Sequence, residues 1–197
     1  MEGVAQVAEG LDRDLTLWIN AFNSPFMDSV WTFMSRTVVW VPLYAVVLLV
    51  ILYRLGWRRT IVAVVALALV ILCVDQLGNL VKEATGRLRP CHDQWMIECG
   101  LNNPVGKGGM YGFFSAHAAN AFAFATASYH VLKADHFRSY RLYAWLIFIW
   151  ASLVAASRIF LGKHFLGDVL VGAAVGVIMG YVFGVIARKI ILRVRAH

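Results

Sequence analysis

Apolar positions gather into five long runs, Val38 to Tyr53, Thr60 to Val81, Ala116 to Leu132, Tyr140 to Ala156 and Val169 to about Leu192. Roughly 20 apolar residues cross a bilayer as a helix, so each run predicts a membrane span. The first run is slightly short, but Arg36 and Arg54 at its ends can snorkel to the two interfaces. Upstream, Leu11, Leu15, Trp18, Ile19 and Phe22 recur at helical spacing, Ser24-Pro25 reads as an N-cap and first turn, and Phe26, Val30 and Phe33 resume the pattern. This predicts two short interfacial helices in an amphipathic segment over residues 1–37, ahead of a membrane-embedded domain over 38–197. A sixth span in the first segment would have to bury Asp12, Asp14 or Asp28. The predicted fold is all-α, a polytopic bundle of five to six transmembrane helices with N-terminal interfacial helices.

Composition agrees with this reading and removes its rivals. The 197 residues are 60% apolar and 15% charged, with a mean hydropathy of +0.69, whereas soluble domains carry about 25% charged residues. The 12 Phe, 7 Trp and 7 Tyr exclude a solvated, disordered chain. Five spans in this length leave no room for a separate soluble domain. The first residues lack the basic and apolar regions of a signal peptide, so targeting is expected to rest on the spans.

A net charge of +7 would suggest nucleic acid for a soluble protein. Here it reads as orientation, with no nucleic-acid partner expected. Arg54, Arg58, Arg59, Lys133, Arg138, Arg141, Arg188, Lys189, Arg193 and Arg195 all fall on one side by parity of the spans, which predicts that side to be cytoplasmic. The acidic N-terminal segment falls on the other side, giving N-terminus out and C-terminus in. Lys82, Arg87, Arg89, Lys107, Arg158 and Lys163 lie on the outer side against the rule, so some are expected to serve chemistry.

The outer ends of the spans gather Lys82, Arg89, Ser115, His117, Arg158, His164 and Asp168. Helix N-termini bind anions through free N–H groups, and Lys and Arg complement phosphate oxygens. Together these groups describe a pocket for a phosphate-sized dianion. His164 and Asp168 stand four apart, so the carboxylate can fix the imidazole tautomer and raise the basicity of its other nitrogen. His117, from another helix, is free to act as the acid for a leaving oxygen.

Three blocks carry a family likeness. Lys82 to Pro90 matches K-x6-R-P, Ser115-Ala116-His117 is similar to P-S-G-H, and Ser157-Arg158 with His164 and Asp168 matches S-R-x5-H-x3-D. Together they resemble the type-2 phosphatidic acid phosphatase superfamily of integral-membrane lipid phosphate phosphatases. The likeness spans roughly residues 38 to 190. It implies metal-independent, two-step hydrolysis without a cofactor, in which His164 forms a phosphohistidine, Asp168 orients it and His117 acts as acid and then base. It also implies that Lys82, Arg89, Arg158, Ser115 and the Ala116 N–H hold the phosphoryl oxygens. Phe114 and Ala116 depart from the family's usual Pro and Gly. The vanadium-dependent haloperoxidases share the phosphate-binding blocks but are soluble, and the spans argue against that chemistry.

The expected enzyme acts on a membrane lipid phosphate at the outer face of a bacterial inner membrane. Undecaprenyl diphosphate is favoured, with phosphatidylglycerophosphate or lipid A phosphate as alternatives. A lipid transporter or flippase is the rival class, but only Asp75, Gln76 and Asn79 approach the midplane. A catalytically silent scaffold would have lost a reactive residue. Asp75 and Ser157 are candidate supporting residues, and Arg87 reads as a solvated or headgroup-facing cation. His92, Asp93 and Glu98 lack metal-ligand spacing. A Cys91–Cys99 disulfide is expected to brace Arg89 if that side is oxidising. Gly172, Gly176, Gly180 and Gly184 continue the ridge of His164 and Asp168 and predict inward packing of the last span, with a monomer favoured over a homodimer. Residues 102–109 read as a lid.

Overall fold

The computed structural model describes residues 2–194, so Arg195 of the basic set lies outside it. Helices α1 (Glu2–Asn20) and α2 (Pro25–Ser35) precede a 3-10 turn at Thr37–Trp40. They are followed by α3 (Val41–Leu55), α4 (Trp57–Thr85), a short α5 (Gln94–Glu98), α6 (Ala116–Leu132), α7 (Arg141–Phe160) and α8 (Leu166–Arg193). No strand forms among the described residues, as the apolar runs predict. Four segments are long and apolar enough to cross a membrane: Thr37–Leu55, Trp57–Thr85, Arg141–Phe160 and Leu166–Arg193. The remaining predicted run forms α6, whose 17 residues lie at the centre of the bundle. Lipid-type side chains such as Leu72, Trp145, Leu146 and Ile178 face outward, as expected where apolar solvent surrounds the helices.

Helix α6 is built from alanine on its packed faces, including Ala119, Ala123 and Ala127, and runs parallel to α8. Alanine sustains the helix without bulk, and glycine on the partner lets the backbones meet. A Cβ at Gly176 would sit 2.2 Å from the Ala119 carbonyl, and one at Gly180 would sit 2.6 Å from the Ala123 carbonyl. The glycine ridge of α8 is therefore occupied by α6 within the same chain. Parallel packing puts the first turns of both helices at one end of the bundle.

The break between α1 and α2 falls where the sequence predicts it, with the Ser24 hydroxyl accepting from Met27 N–H at 3.2 Å and Pro25 at the first helical position. Helix α1 turns its apolar side outward, with Leu11 57% and Trp18 64% exposed. Its inner stripe, Asp12, Thr16 and Asn20, is polar and spaced by four. Asn20 is buried and donates to the carbonyls of Asn102, Ile159 and Phe160, each at 3.0 Å. The Thr16 hydroxyl accepts from Leu166 N–H at 2.9 Å. The helix is thus both amphipathic and fastened to the loop joining α7 to α8, which amphipathicity alone did not reveal.

The opposite end is closed by polar contacts among neighbouring termini. Arg54 of α3 pairs with Asp135 at 2.6 Å, Tyr140 donates to the same carboxylate at 2.7 Å, and Arg59 donates to the Val194 carbonyl at 3.0 Å.

Candidate active site

At the other end the connections are strongly constrained by turns and backbone pairing. Gly86, at φ +57°, ends α4 with its N–H on the Lys82 carbonyl, a backbone conformation that glycine adopts without a Cβ penalty. Pro90 favours extended backbone at Arg89, and this stretch pairs with residues 110–112: Arg89 N–H donates to Met110 at 3.0 Å and Gly112 N–H to Arg87 at 2.9 Å. The pairing sets Arg89 against Gly112, and the Lys82 ammonium lies by Gly78, as does the Phe114 ring just ahead of α6. Ser115 N–H donates in turn to the Asp168 carbonyl at 3.0 Å, joining the first turns of α6 and α8. After Arg158 in the last turn of α7, Gly162 (φ +63°) reverses the chain. Lys163 and His164 N–H groups then return to the Arg158 carbonyl at 2.9 and 3.2 Å. All eight residues assigned to catalysis or phosphate binding, Lys82, Arg89, Ser115, Ala116, His117, Arg158, His164 and Asp168, belong to this one end.

His164 and Asp168 are 2% and 0% exposed. Nδ1 of His164 lies 3.4 Å from Oδ2 of Asp168, near enough for electrostatic orientation but not aligned as a hydrogen bond. Oδ2 accepts from Phe165 N–H at 3.1 Å, capping α8. Oδ1 accepts from Nη1 of Arg87 at 2.6 Å. Nη2 of Arg87 reaches Oδ2 of Asp12 at 2.6 Å, and Oδ1 of Asp12 accepts from Gly167 N–H at 2.7 Å. Arg87 is therefore no solvated cation. It is held between two carboxylates, and this corrects the sequence reading. The available signal was its spacing: residues two apart in an extended stretch share a face, and Arg89 already pointed to the site.

Burial, followed by the charges of Arg158, Arg89 and Lys82, holds the His164 pKa well below the usual histidine range. The same three cations and His164 surround His117. Nη1 of Arg158 donates to the Ser35 hydroxyl of α2, while Nε of Arg158 and the buried Ser115 hydroxyl have no partner. Lys163, whose pKa burial lowers, donates to the Gly106 carbonyl. The pocket thus combines excess positive charge with polar atoms lacking partners, which a phosphoryl group would complement. The predicted lid lies against these cations. A Cβ at Gly108 would approach Nη1 of Arg89 to 2.7 Å, and one at Gly112 would lie 3.1 Å from Oδ2 of Asp168.

Other candidates occupy supporting or separate positions. Asp75 accepts from the Asn120 amide at 2.8 Å, joining α4 to α6 near Lys82. Ser157 donates to the Val154 carbonyl at 2.6 Å within its own helix. The expected Cys91–Cys99 disulfide is not formed: both thiols are free, Cys91 buried in the turn after Arg89 and Cys99 exposed at the end of α5. Arg89 is braced instead by its backbone, whose carbonyl accepts from His92 and Asp93 N–H at 2.9 and 3.1 Å. Asp93 is in turn fixed by Arg13 of α1 at 2.8 Å.

The sequence profile of the PAP2 superfamily matches residues 59–191. The chain is 33% identical over 196 residues to a lipid A 4'-phosphatase of Bacteroides thetaiotaomicron, covering 94% of this chain and 81% of that protein. It is 31% identical over 172 residues to a lipid A 4'-phosphatase of Porphyromonas gingivalis, covering 87% and 70%. Its fold is similar to the crystal structure of a transmembrane PAP2-type phosphatidylglycerolphosphate phosphatase from Bacillus subtilis, with a TM-score of 0.71, 21% identity and coverage of 93% and 88%. It is also similar to that of Aquifex aeolicus LpxE, with a TM-score of 0.59, 26% identity and coverage of 86% and 92%. With its three blocks meeting at one end of a helical bundle, and a profile match over more than half its length, this chain belongs to the PAP2 superfamily of membrane phosphatases.

Proposed function

We propose that this metal-independent PAP2 phosphatase removes a phosphate from a lipid A-type glycolipid at the outer face of a bacterial inner membrane. The observation that carries the substrate class is the likeness to two lipid A 4'-phosphatases, one extending over 94% of the chain. Undecaprenyl diphosphate, favoured by the sequence reading, gains no contact that selects it. The acidic first segment and the basic opposite end support an outer site by the charge rule for cytoplasmic loops.

In the proposed mechanism, Lys82, Arg89, Arg158, the Ser115 hydroxyl and the Ala116 N–H take up the phosphoryl oxygens. With Nδ1 of His164 toward Asp168, Nε2 attacks phosphorus. The P–O bond to the lipid breaks, and His117 gives its proton to the leaving oxygen. Water then attacks the phosphohistidine, losing its proton to His117 and releasing inorganic phosphate and free His164. Two features support this route: the neutral state of buried His164 and the cations around it, which offset the charge spread over the equatorial oxygens.

The test is phosphate release by detergent-purified protein from lipid A, undecaprenyl diphosphate and phosphatidylglycerophosphate, with and without EDTA. Release from lipid A in EDTA, lost in His164→Ala and His117→Ala, is expected. Activity retained by His164→Ala would remove the phosphohistidine route, and turnover of undecaprenyl diphosphate alone would reverse the substrate assignment.

A further inference from the structure

Behind His164 and Asp168 a ring of contacts joins three distant parts of the chain: α1, the stretch after α4 and the first turn of α8. Arg87 donates to Oδ1 of Asp168 through Nη1 and to Oδ2 of Asp12 through Nη2, both at 2.6 Å. Oδ1 of Asp12 accepts from Gly167 N–H at 2.7 Å, one residue before Asp168, so the contacts close on themselves. The guanidinium is also held from one side, its central carbon lying 4.6 Å from the centroid of the Phe165 ring. Beside Asp12 there is no slack, since a Cβ at Gly167 would stand 2.8 Å from its Oδ2. The side chains of Asp168, Asp12 and Arg87 are 0%, 15% and 28% exposed, so water screens their charges poorly.

Two carboxylates share one guanidinium, which leaves the ring with one net negative charge, where an isolated pair of Arg87 and Asp168 would have none. The other groups facing His164 are Lys82 of α4, Arg89, His117 of α6 and Arg158 of α7, none of them an anion. When Nε2 of His164 bonds phosphorus, its lone pair enters the N–P bond. The imidazole, still holding the Nδ1 proton toward Asp168, becomes cationic. That charge develops among cations, so an oriented negative group behind the ring stabilises it as it forms. Asp168 supplies the group, and Asp12, by occupying Nη2 of Arg87, keeps Arg87 from cancelling it.

We infer that Asp12 of α1 is a positioning residue for phosphoryl transfer: through Arg87 it fixes the Asp168 carboxylate and keeps net negative charge behind His164. The inference rests on the phosphohistidine reading above. Helix α1 thereby contributes to the chemistry as well as to the fold.

The experiment measures kcat, KM and the pH dependence of kcat/KM on whichever lipid phosphate of the panel above wild type hydrolyses. Asp12→Asn keeps an acceptor for Gly167 N–H but loses the charge. It is expected to lower kcat about 10- to 100-fold with KM within about 3-fold of wild type. The acid limb of kcat/KM reports His164 in the free enzyme. Asp12→Asn should move it to lower pH and Arg87→Gln to higher pH, because lost negative charge disfavours the proton and lost positive charge favours it. Thr16→Val removes the neighbouring bond to Leu166 N–H without changing charge, and should lower the Tm with the limb unmoved. Asp14→Asn makes the same charge change at an exposed position of α1 and should stay within about 2-fold of wild type.

A kcat within about 2-fold of wild type in folded Asp12→Asn, or a limb that moves the same way or not at all in the two charge variants, would overturn the positioning role alone. Should Asp12→Asn fail to fold, Arg87→Gln against Thr16→Val decides by the limb. Activity retained by His164→Ala would overturn the phosphohistidine reading and this inference together.

Discussion

The two ends of the bundle use the same side-chain chemistry to opposite effect. At the far end, Arg54 meets Asp135, Tyr140 donates to that carboxylate, and Phe137 N–H occupies its other oxygen at 3.0 Å, so the carboxylate is satisfied on both sides. At the site end, Arg87 is likewise held between Asp12 and Asp168, but Lys82, Arg89, Arg158 and Lys163 gather around them without a carboxylate of their own among the described residues. A matched pair ties helix ends together. An unmatched surplus makes a place for an anion, and the difference separates structural charge from functional charge more sharply than burial does.

The comparison can be broken most severely at His164, the proposed nucleophile. His164→Ala is expected to lower kcat by on the order of 10⁴-fold with the fold intact, read by phosphate release beside circular dichroism. Arg158→Ala removes one of the surplus cations and should cost about 10²- to 10³-fold in kcat/KM. Arg87→Ala and Asp12→Asn act through Asp168 on His164 and should cost about 10- to 100-fold, with Arg87→Lys restoring part of the loss and the pH dependence of kcat altered in each.

Arg54→Ala, at the matched end, should lower the Tm yet keep kcat/KM within about 2-fold of wild type, since no reacting group is touched. A loss comparable to that of Arg87→Ala would erase the contrast between the two ends.

Acid sharpens the same point. Because the His164 pKa is depressed in the folded protein, the unfolded chain takes up the proton first as pH falls. The corresponding stability is present above the unfolded value of about 6.5 and is lost progressively below it. Thermal melts of substrate-free protein should therefore decline between about pH 7 and 5.5, and less steeply for His164→Asn. Inorganic phosphate or vanadate should offset the decline by neutralising the surplus charge.

Much of this architecture is legible in the sequence because its causes are local or periodic. The apolar runs give the spans, Ser24-Pro25 gives the break between α1 and α2, and the four-residue glycine spacing gives the inward ridge that α6 covers. The three family blocks sit at helix ends that topology alone collects at one end of the bundle. What stays illegible depends on pairing across distance. Asp12 looks like a surface acid of an amphipathic helix until its partner Gly167, 155 residues on, is beside it. Arg87 changes from solvated to central for the same reason. The nearness of Cys91 and Cys99 in sequence misleads because the turn after Arg89 directs one thiol inward, while the end of α5 leaves the other exposed.

The fastening of α1 has a consequence for biogenesis. Asp12, Thr16 and Asn20 complete hydrogen bonds with Gly167, Leu166 and Phe160, which are made only after nearly the whole bundle has been synthesised. Until then the polar stripe of the first helix has no partner, and the loop carrying His164, once made, lacks its brace until that helix docks. Closure of this long-range contact, a slow class of folding event, then coincides with assembly of the active site, so a nascent chain cannot hydrolyse lipid before its last helix is in place.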